Sequence, residues 1–323
     1  MYNTDNISIV LSTDNNYAPY AAATIASICD NTKSFCKIYI LDGGISEVNK
    51  NRISELKTYF DNLSVSFIII DTERYFKNFQ VKIKHITIST YYRFLIGDLF
   101  PDIDKILYLD ADIIANKDVK QLYDIDLQEY IIGAVKDRGN TEYINKLKEN
   151  VNINYSHNYF NAGVLLIDLK KWREKFVTKK LFEIEKEYRG NLLCNDQDVL
   201  NKYFENNYLV LETKYNAWFY SDKNVILRHY YSIPKPWEIR PKLCIFKFND
   251  YKKFWFYLKK TPFYEEIYEN CHYKSYLQML AIFIKTLRIK QNIIYFIYII
   301  LLKLGIKDIV KKILQNLGYK FDE

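Results

Sequence analysis

Glycine is scarce, with 9 in 323 residues. No GxGxxG or Walker-type stretch occurs, so a glycine-rich backbone cradle is excluded and any phosphate must be held by other means. Cysteine is equally thin. Cys29, Cys36, Cys194, Cys244 and Cys271 are odd in number and lack CxxC spacing, which argues against a structural zinc site or a disulfide framework. The amino terminus shows no basic stretch leading into an apolar run, so no secretory leader is expected. The resulting expectation is a cytoplasmic chain with reduced thiols. Residues 293–302 are ten apolar residues ended by Lys303, too few to span a bilayer. Net charge is also missing from most of the chain. Residues 1–251 hold 33 basic and 33 acidic side chains, while residues 252–323 hold 13 and 6, which accounts for the whole +7. That shift marks a composition boundary near residue 250. It divides the sequence into residues 1–250 and a basic, amphipathic helical region at 251–323.

What is present points to a large folded core. Hydrophobic residues make up 49% of the chain, which excludes global disorder. Apolar runs at Ile7–Leu11, Lys37–Leu41 and Val65–Ile70 read as strands. The segments Tyr20–Ile28 and Ser46–Tyr59 between them read as helices. This βαβαβ alternation predicts an α/β fold with helices on both faces of a Rossmann-like sheet, expected to be mixed but mostly parallel. Further along, Thr90–Leu95 reads as a helix carrying Arg93. Ile131–Val135 and Tyr159–Leu169 read as strands, and Lys170–Tyr188 as one helix. Another helix begins at Asn195. Val225–Leu227 reads as a short strand delivering Arg228 and His229. The Pro234–Trp237 segment is too rich in proline for a helix.

The stretch Lys105–Ile114 carries the chemistry. Ile106–Leu109 reads as a buried strand, and Asp110 and Asp112 follow at once. Unpaired buried carboxylates are expensive. Two readings are open at this level. The acids either cap or solvate a turn, or they hold a divalent cation at the carboxyl edge of the sheet, where ligands of open α/β folds bind. The C-terminal helices also allow two readings. Ile306, Ile309, Val310, Ile313, Leu314 and Leu317 form a stripe, with Lys307, Lys311 and Lys312 off it. Such a helix packs on the domain or a second copy, or it lies on an anionic membrane surface. The basic residues interleave with long apolar runs, not with stacking platforms, so nucleic acid is not expected as a partner.

Several motifs then fall in a known order: Thr13–Tyr17, Leu41–Ser46, Ser89–Arg93, Leu107–Asp112, Tyr159–Leu165, Asn195–Asp198, and His229 with Lys235–Trp237. Over residues 7 to 240 the chain resembles glycosyltransferase family 8, especially its bacterial lipo-oligosaccharide galactosyltransferases. The resemblance implies the GT-A form of the doubly wound sheet, a UDP-sugar donor, and Mn²⁺, with Mg²⁺ as the alternative. It also implies a retaining transfer of galactose or glucose to a glycan or glycolipid in bacterial surface polysaccharide or lipopolysaccharide synthesis. The chain would then work at the inner face of the cell membrane.

By this resemblance Asp110, Asp112 and His229 are the metal ligands. Two oxygens and one imidazole suit Mn²⁺. Ser12, Asp14, Asn16 and Tyr17 match positions around uracil and ribose. Ser232 and Lys235 match positions at the donor phosphates, with Lys235 in place of the missing glycine loop, and Ala111 matches a further donor-binding position. Arg93, Asn161, Asp196 and Gln197 match positions that grip the donor sugar, although a buried arginine is also often structural. His85 and Asp137 match positions near the acceptor. Ser232 stands where the family often has glycine, and the short span from Asn201 to His229 suggests a smaller or more open acceptor pocket.

Retention allows two routes. One passes through a covalent sugar–enzyme species on Gln197 or Asp196. The other is same-face attack through an oxocarbenium-like ion pair, and it is the one expected here because an amide is a poor nucleophile. Two other classes fit the Asp-x-Asp pair alone: a phosphatase or phosphotransferase with Asp110 as nucleophile, and a non-catalytic sugar-nucleotide binder.

Overall fold

The computed structural model describes residues 3–81, 87–219, 221–231, 234–239, 241, 244 and 249–271. Among the described residues, nine strands build two sheets. They are β1 (Asn3–Thr13), β2 (Ser34–Asp42), β3 (Leu63–Ile69), β4 (Lys105–Leu109), β5 (Ile113–Ala115), β6 (Ile132–Lys136), β7 (Phe160–Asp168), β8 (Leu209–Leu211) and β9 (Leu227–His229). The main sheet runs β3-β2-β1-β4-β7-β6-β8, and β5 pairs with β9 in a separate ribbon.

Strand sequence explains the layering. In β1, Ile7, Ile9 and Leu11 face one core and Val10 faces the other. In β4, Leu107 and Leu109 face the first core, while Ile106 and Tyr108 face the second. Both faces are covered, so the strands read as unbroken apolar runs. The Ala18–Asn31 helix covers the first face with Ala18, Ala22, Ile25 and Ile28.

Pairings β1–β2, β2–β3, β1–β4 and β6–β8 are parallel, whereas β7 is antiparallel to both β4 and β6. The sheet is therefore mixed, and the reversal has a consequence. The start of β7 lies beside the end of β4, with the Asp110 N–H donating to the Gly163 carbonyl at 2.9 Å. The ends of β1, β4 and β6 and the start of β7 thus share one edge. The strand order reverses direction between β1 and β4, which is the switch point where open α/β sheets open a crevice.

Three local expectations change. Thr90–Leu95 lies in a 3₁₀ stretch, Ile88–Leu95. The single helix expected over Lys170–Tyr188 is two, Leu169–Glu174 and Val177–Tyr188, because Phe176 between them has φ +54° and ψ +39°. The proline-rich segment makes one 3₁₀ turn, Pro236–Glu238. The helices Tyr251–Leu258 and Tyr264–Asn270 pack onto the sheet domain. Phe254, Trp255, Leu258 and Phe263 join the first core, and Arg52 sits 4.0 Å above the Phe263 ring while pairing with Glu266 at 2.6 Å. All five cysteines are free. Among the described residues, no helix is long and apolar enough to cross a membrane. The amphipathic stripe expected at 306–317 lies outside the described residues.

Candidate active site

Three segments converge at the shared edge. The turn after β4 carries Asp110, Ala111 and Asp112. The β5–β9 ribbon pairs Ile113 with His229, which places the distant imidazole beside those acids. Gly163 supplies the floor. A Cβ there would lie against His229 Cε1 and 2.7 Å from Asp110 Oδ2, so the absence of a side chain is what lets ring and carboxylate meet.

His229 Nε2 lies 3.2 Å from Asp112 Oδ1 and 3.7 Å from Asp110 Oδ2. One ligand atom from each of the three residues falls within 4.8 Å of the others. Two carboxylate oxygens and a ring nitrogen gathered this closely form a donor set that fits a divalent cation. The surrounding charge is arranged around them. Lys235 Nζ donates to Asp112 Oδ2 at 2.6 Å and to the Tyr230 carbonyl at 2.8 Å. Burial would raise the Asp112 carboxyl, but the Lys235 ammonium beside it outweighs burial and holds the group well below the usual carboxylate range.

Arg93 is almost fully buried and fully engaged. Its Nε pairs with Asp196 Oδ2 at 3.0 Å, its Nη2 donates to Asp110 Oδ1 at 3.0 Å, and its Nη1 donates to the Ala162 carbonyl at 2.5 Å. The guanidinium also lies 4.2 Å from the centre of the Tyr108 ring. Asp196 accepts a short hydrogen bond from the Thr90 hydroxyl as well. Burial pushes the Asp196 carboxyl up to about 6 against the pull of Arg93. Burial likewise raises Asp137, although the Gly139 N–H and the Gln197 amide donate to it.

Gln197 Oε1 accepts from Asn161 Nδ2 at 3.1 Å and from the Ala162 N–H at 3.0 Å. At the far end of the crevice, Asp14 Oδ1 accepts from the Asn16 and Tyr17 N–H groups at 2.9 and 3.0 Å. Ser12 donates to the Ser89 carbonyl. The Tyr17 ring is held edge-on by Tyr20 and Trp237, which stack on each other at 3.6 Å.

One cavity of about 500 Å³ gathers Ser12, Asp14, Tyr17, Arg93, Asp110, Ala111, Asp112, Asp137, Asn161, Asp196, Gln197, His229 and Lys235. Asn16 is exposed and does not line it. His85 and Ser232 lie outside the described residues. The cavity also exposes residues that the sequence reading did not single out: Thr90, Tyr143, Cys194 and Tyr231. Behind His229 stands fully buried Asn216, also unanticipated. Thr90 lies within the Ser89–Arg93 motif without being singled out there, and the others carry no periodicity or motif signal. Their place on the cavity wall marks the first four, and burial beside His229 marks Asn216.

A family model for glycosyl transferase family 8 matches residues 8–240. The chain belongs to glycosyltransferase family 8. General stress protein A of Bacillus subtilis is 31% identical over 83% of this chain and 93% of its own length. A lipopolysaccharide 1,3-galactosyltransferase of Salmonella typhimurium is 29% identical over 72% of this chain and 74% of its own. Several other bacterial relatives are longer, and the match spans little more than half of them. Among solved structures, the galactosyltransferase LgtC, bound to donor and acceptor sugar analogues, superposes with a TM-score of 0.67 at 27% identity. That match covers 79% of this chain and 96% of LgtC. The chain is therefore a glycosyltransferase of GT-A type, and the phosphatase reading falls away. Enzymes of this type take a sugar-nucleotide donor and a divalent metal, and Asp110, Asp112 and His229 form a cluster that could hold such an ion.

Proposed function

We propose that this glycosyltransferase moves a galactosyl or glucosyl group from a UDP-sugar, with retention, onto the sugar end of a bacterial surface glycolipid or glycan. Galactose leads on the relatives named above. Asp110, Asp112 and His229 hold a single cation of the manganese type. The observation that carries the reading is the meeting of His229 Nε2 with both carboxylates at the sheet's switch point. When bound, the cation supplies positive charge at the leaving diphosphate.

The chain's own residues do the rest. Lys235 brings a second positive charge to the same end of the cavity. Tyr17 and Asp14, after β1, receive the nucleotide base, with Ser12 at the ribose. Arg93 ties Asp196 to Asp110 and so sets donor-sugar and metal sides in fixed relation. Asn161 and Gln197 offer paired amide groups to sugar hydroxyls. Asp137, at the open side, faces the acceptor.

Retention without a covalent intermediate is supported by how the two candidate nucleophiles are occupied. Gln197 Oε1 already accepts two N–H groups. Asp196 is tied to Arg93 and Thr90. Same-face attack, with the departing phosphate oxygen taking the acceptor proton, asks for neither. The basic C-terminal region docks the enzyme on anionic lipid, where a glycolipid acceptor would be found.

The test is a panel of UDP-sugars with Mn²⁺ and candidate glycans, read by mass and by the anomeric NMR signal of the product. Turnover of UDP-galactose or UDP-glucose with an α-linked product is expected. A β-linked product, or turnover of neither donor, would overturn the reading. Removing residues 273–323 should leave UDP-sugar hydrolysis intact and abolish sedimentation with anionic vesicles. Unchanged sedimentation would end the membrane proposal.

A further inference from the structure

We propose that Asn216 is a positioning residue. It fixes the His229 imidazole in the tautomer that turns a bare Nε2 lone pair toward Asp110 and Asp112. The inference rests on the metal reading of that site.

The argument is a count of donors and acceptors along a buried chain of amides. Asn216 is fully buried, His229 is nearly so, and Asn161 and Trp218 are largely buried. Two ends of the chain allow only one assignment. The Gly163 N–H is an obligate donor, and it meets Asn161 Oδ1 at 3.0 Å. That oxygen also receives Asn216 Nδ2 at 2.8 Å. The Trp218 indole N–H is likewise only a donor, and it meets Asn216 Oδ1 at 3.0 Å. The Asn216 amide therefore cannot be turned over without setting N–H against N–H at Trp218 and oxygen against oxygen at Asn161.

With that amide fixed, its oxygen is the atom that His229 Nδ1 meets, also at 3.0 Å. An acceptor there requires Nδ1 to carry the proton. In the neutral ring the proton is then absent from Nε2, the nitrogen that faces both carboxylates. A metal-bound histidine needs its other nitrogen to donate in this way. Here the partner is a side-chain amide locked by a backbone N–H and an indole. The same chain continues through Asn161 Nδ2 to Gln197 Oε1 and the Ala162 N–H, so the donor-sugar amides and the histidine share one hydrogen-bond register.

The experiment uses the full-length, chelator-treated protein labelled with ¹⁵N-histidine. The chain has four histidines, and His229 is assigned by the signal lost in His229→Gln. Long-range ¹H–¹⁵N spectra separate a protonated, pyrrole-like nitrogen from a bare, pyridine-like one. Wild type is expected to show protonated Nδ1 and bare Nε2. Asn216→Asp keeps an acceptor toward His229 and is expected to keep that pattern. Asn216→Leu removes it. Its ring should show mixed tautomers, and Mn²⁺ affinity, read by titration calorimetry, should fall about 10- to 100-fold. Protonated Nε2 in wild type would overturn the inference even if neither variant folds. An Asn216→Leu protein with wild-type tautomer and wild-type Mn²⁺ affinity would also overturn it. The two readings fail separately. Mn²⁺ binding with protonated Nε2 in the metal-free ring sinks only the role of Asn216. The expected tautomer without any Mn²⁺ binding upholds that role and sinks the metal reading.

Discussion

At the scale of single residues, the site is a set of charges whose partners are counted out. Asp112 answers to Lys235, and Asp196 answers to Arg93. Breaking a buried pair leaves an uncompensated charge and costs several kcal/mol, more than the pair itself contributes. Asp196 gives a pH signature. Its folded-state value of about 6 lies above the ordinary carboxyl value. The native state therefore binds this proton more tightly than the unfolded chain does. The contribution of Asp196 to stability is largest below about pH 4 and declines until about pH 6. Relative to Asp196→Asn, wild-type unfolding free energy should fall by roughly 3 kcal/mol across that window. Urea unfolding of both proteins at several pH values checks this, and a flat difference would show that burial does not govern the group.

Much at this scale was legible. The Asp110-Ala111-Asp112 turn announces itself, because two acids directly after four apolar residues cannot be idle. His229 is different. Its segment offers only a short strand, and nothing local says that β9 pairs with β5. The family motifs supplied the link. Asn216 gave no signal, since a single amide between strands reads as loop until its burial and its neighbours are known.

At the scale of elements, two features are testable. Gly163 is the point where β7 passes beneath the ligand cluster. Gly163→Ala would press a methyl group against the His229 ring and Asp110. It should cost about 1–3 kcal/mol in stability and weaken Mn²⁺ binding about 10- to 100-fold. Calorimetric titration and urea unfolding measure both, and unaltered metal affinity would show that the cluster has room to spare. The second feature is the break between the two helices at Phe176. Its backbone is left-handed, and its side chain is 69% exposed. A left-handed non-glycine residue costs about 1–2 kcal/mol, partly offset by the entropy lost on ordering glycine. Phe176→Gly should therefore stabilise the fold by about 0.5–1 kcal/mol. A loss of stability on urea unfolding would mean that the exposed ring packs usefully after all.

Strands and helices of the βαβαβ half were readable because buried parallel strands are continuous apolar runs. The helix break was not. Residues Lys170–Tyr188 hold no proline or glycine to mark it, and the apolar positions continue on either side. A mixed sheet was expected, but that β7 is the strand running against its neighbours was hidden, because an apolar run does not reveal its direction.

At the scale of the whole molecule, one sheet edge collects the ends of β1, β4 and β6 and the start of β7, while the β5–β9 ribbon and the Lys235 segment close over it. Where a glycine-rich loop is missing, the crevice gathers charged and ligating side chains, with Lys235 at the same end as Asp110, Asp112 and His229. Helix Tyr251–Leu258 packs along the Ala18–Asn31 helix, where Asn31 Nδ2 donates to the Tyr257 hydroxyl at 2.7 Å and Lys260 just beyond it pairs with Asp30 at 2.7 Å, and the Tyr264–Asn270 helix is tied to Arg52 through Glu266. Charge balance over residues 1–251 was a fair guide to where the basic excess sits, but composition alone does not tell how the flanking helices pack.

The central claim is that donor cleavage depends on a cation held by Asp110, Asp112 and His229. Its most direct test is UDP-sugar hydrolysis by the full chain after exhaustive chelation, followed by Mn²⁺ titration, with Asp112→Asn and His229→Ala in parallel. The account predicts activity at background without metal, recovery that saturates at one Mn²⁺ per chain, and at least about a hundredfold loss in both variants. Full activity in the presence of chelator, or wild-type turnover by either variant, would contradict it.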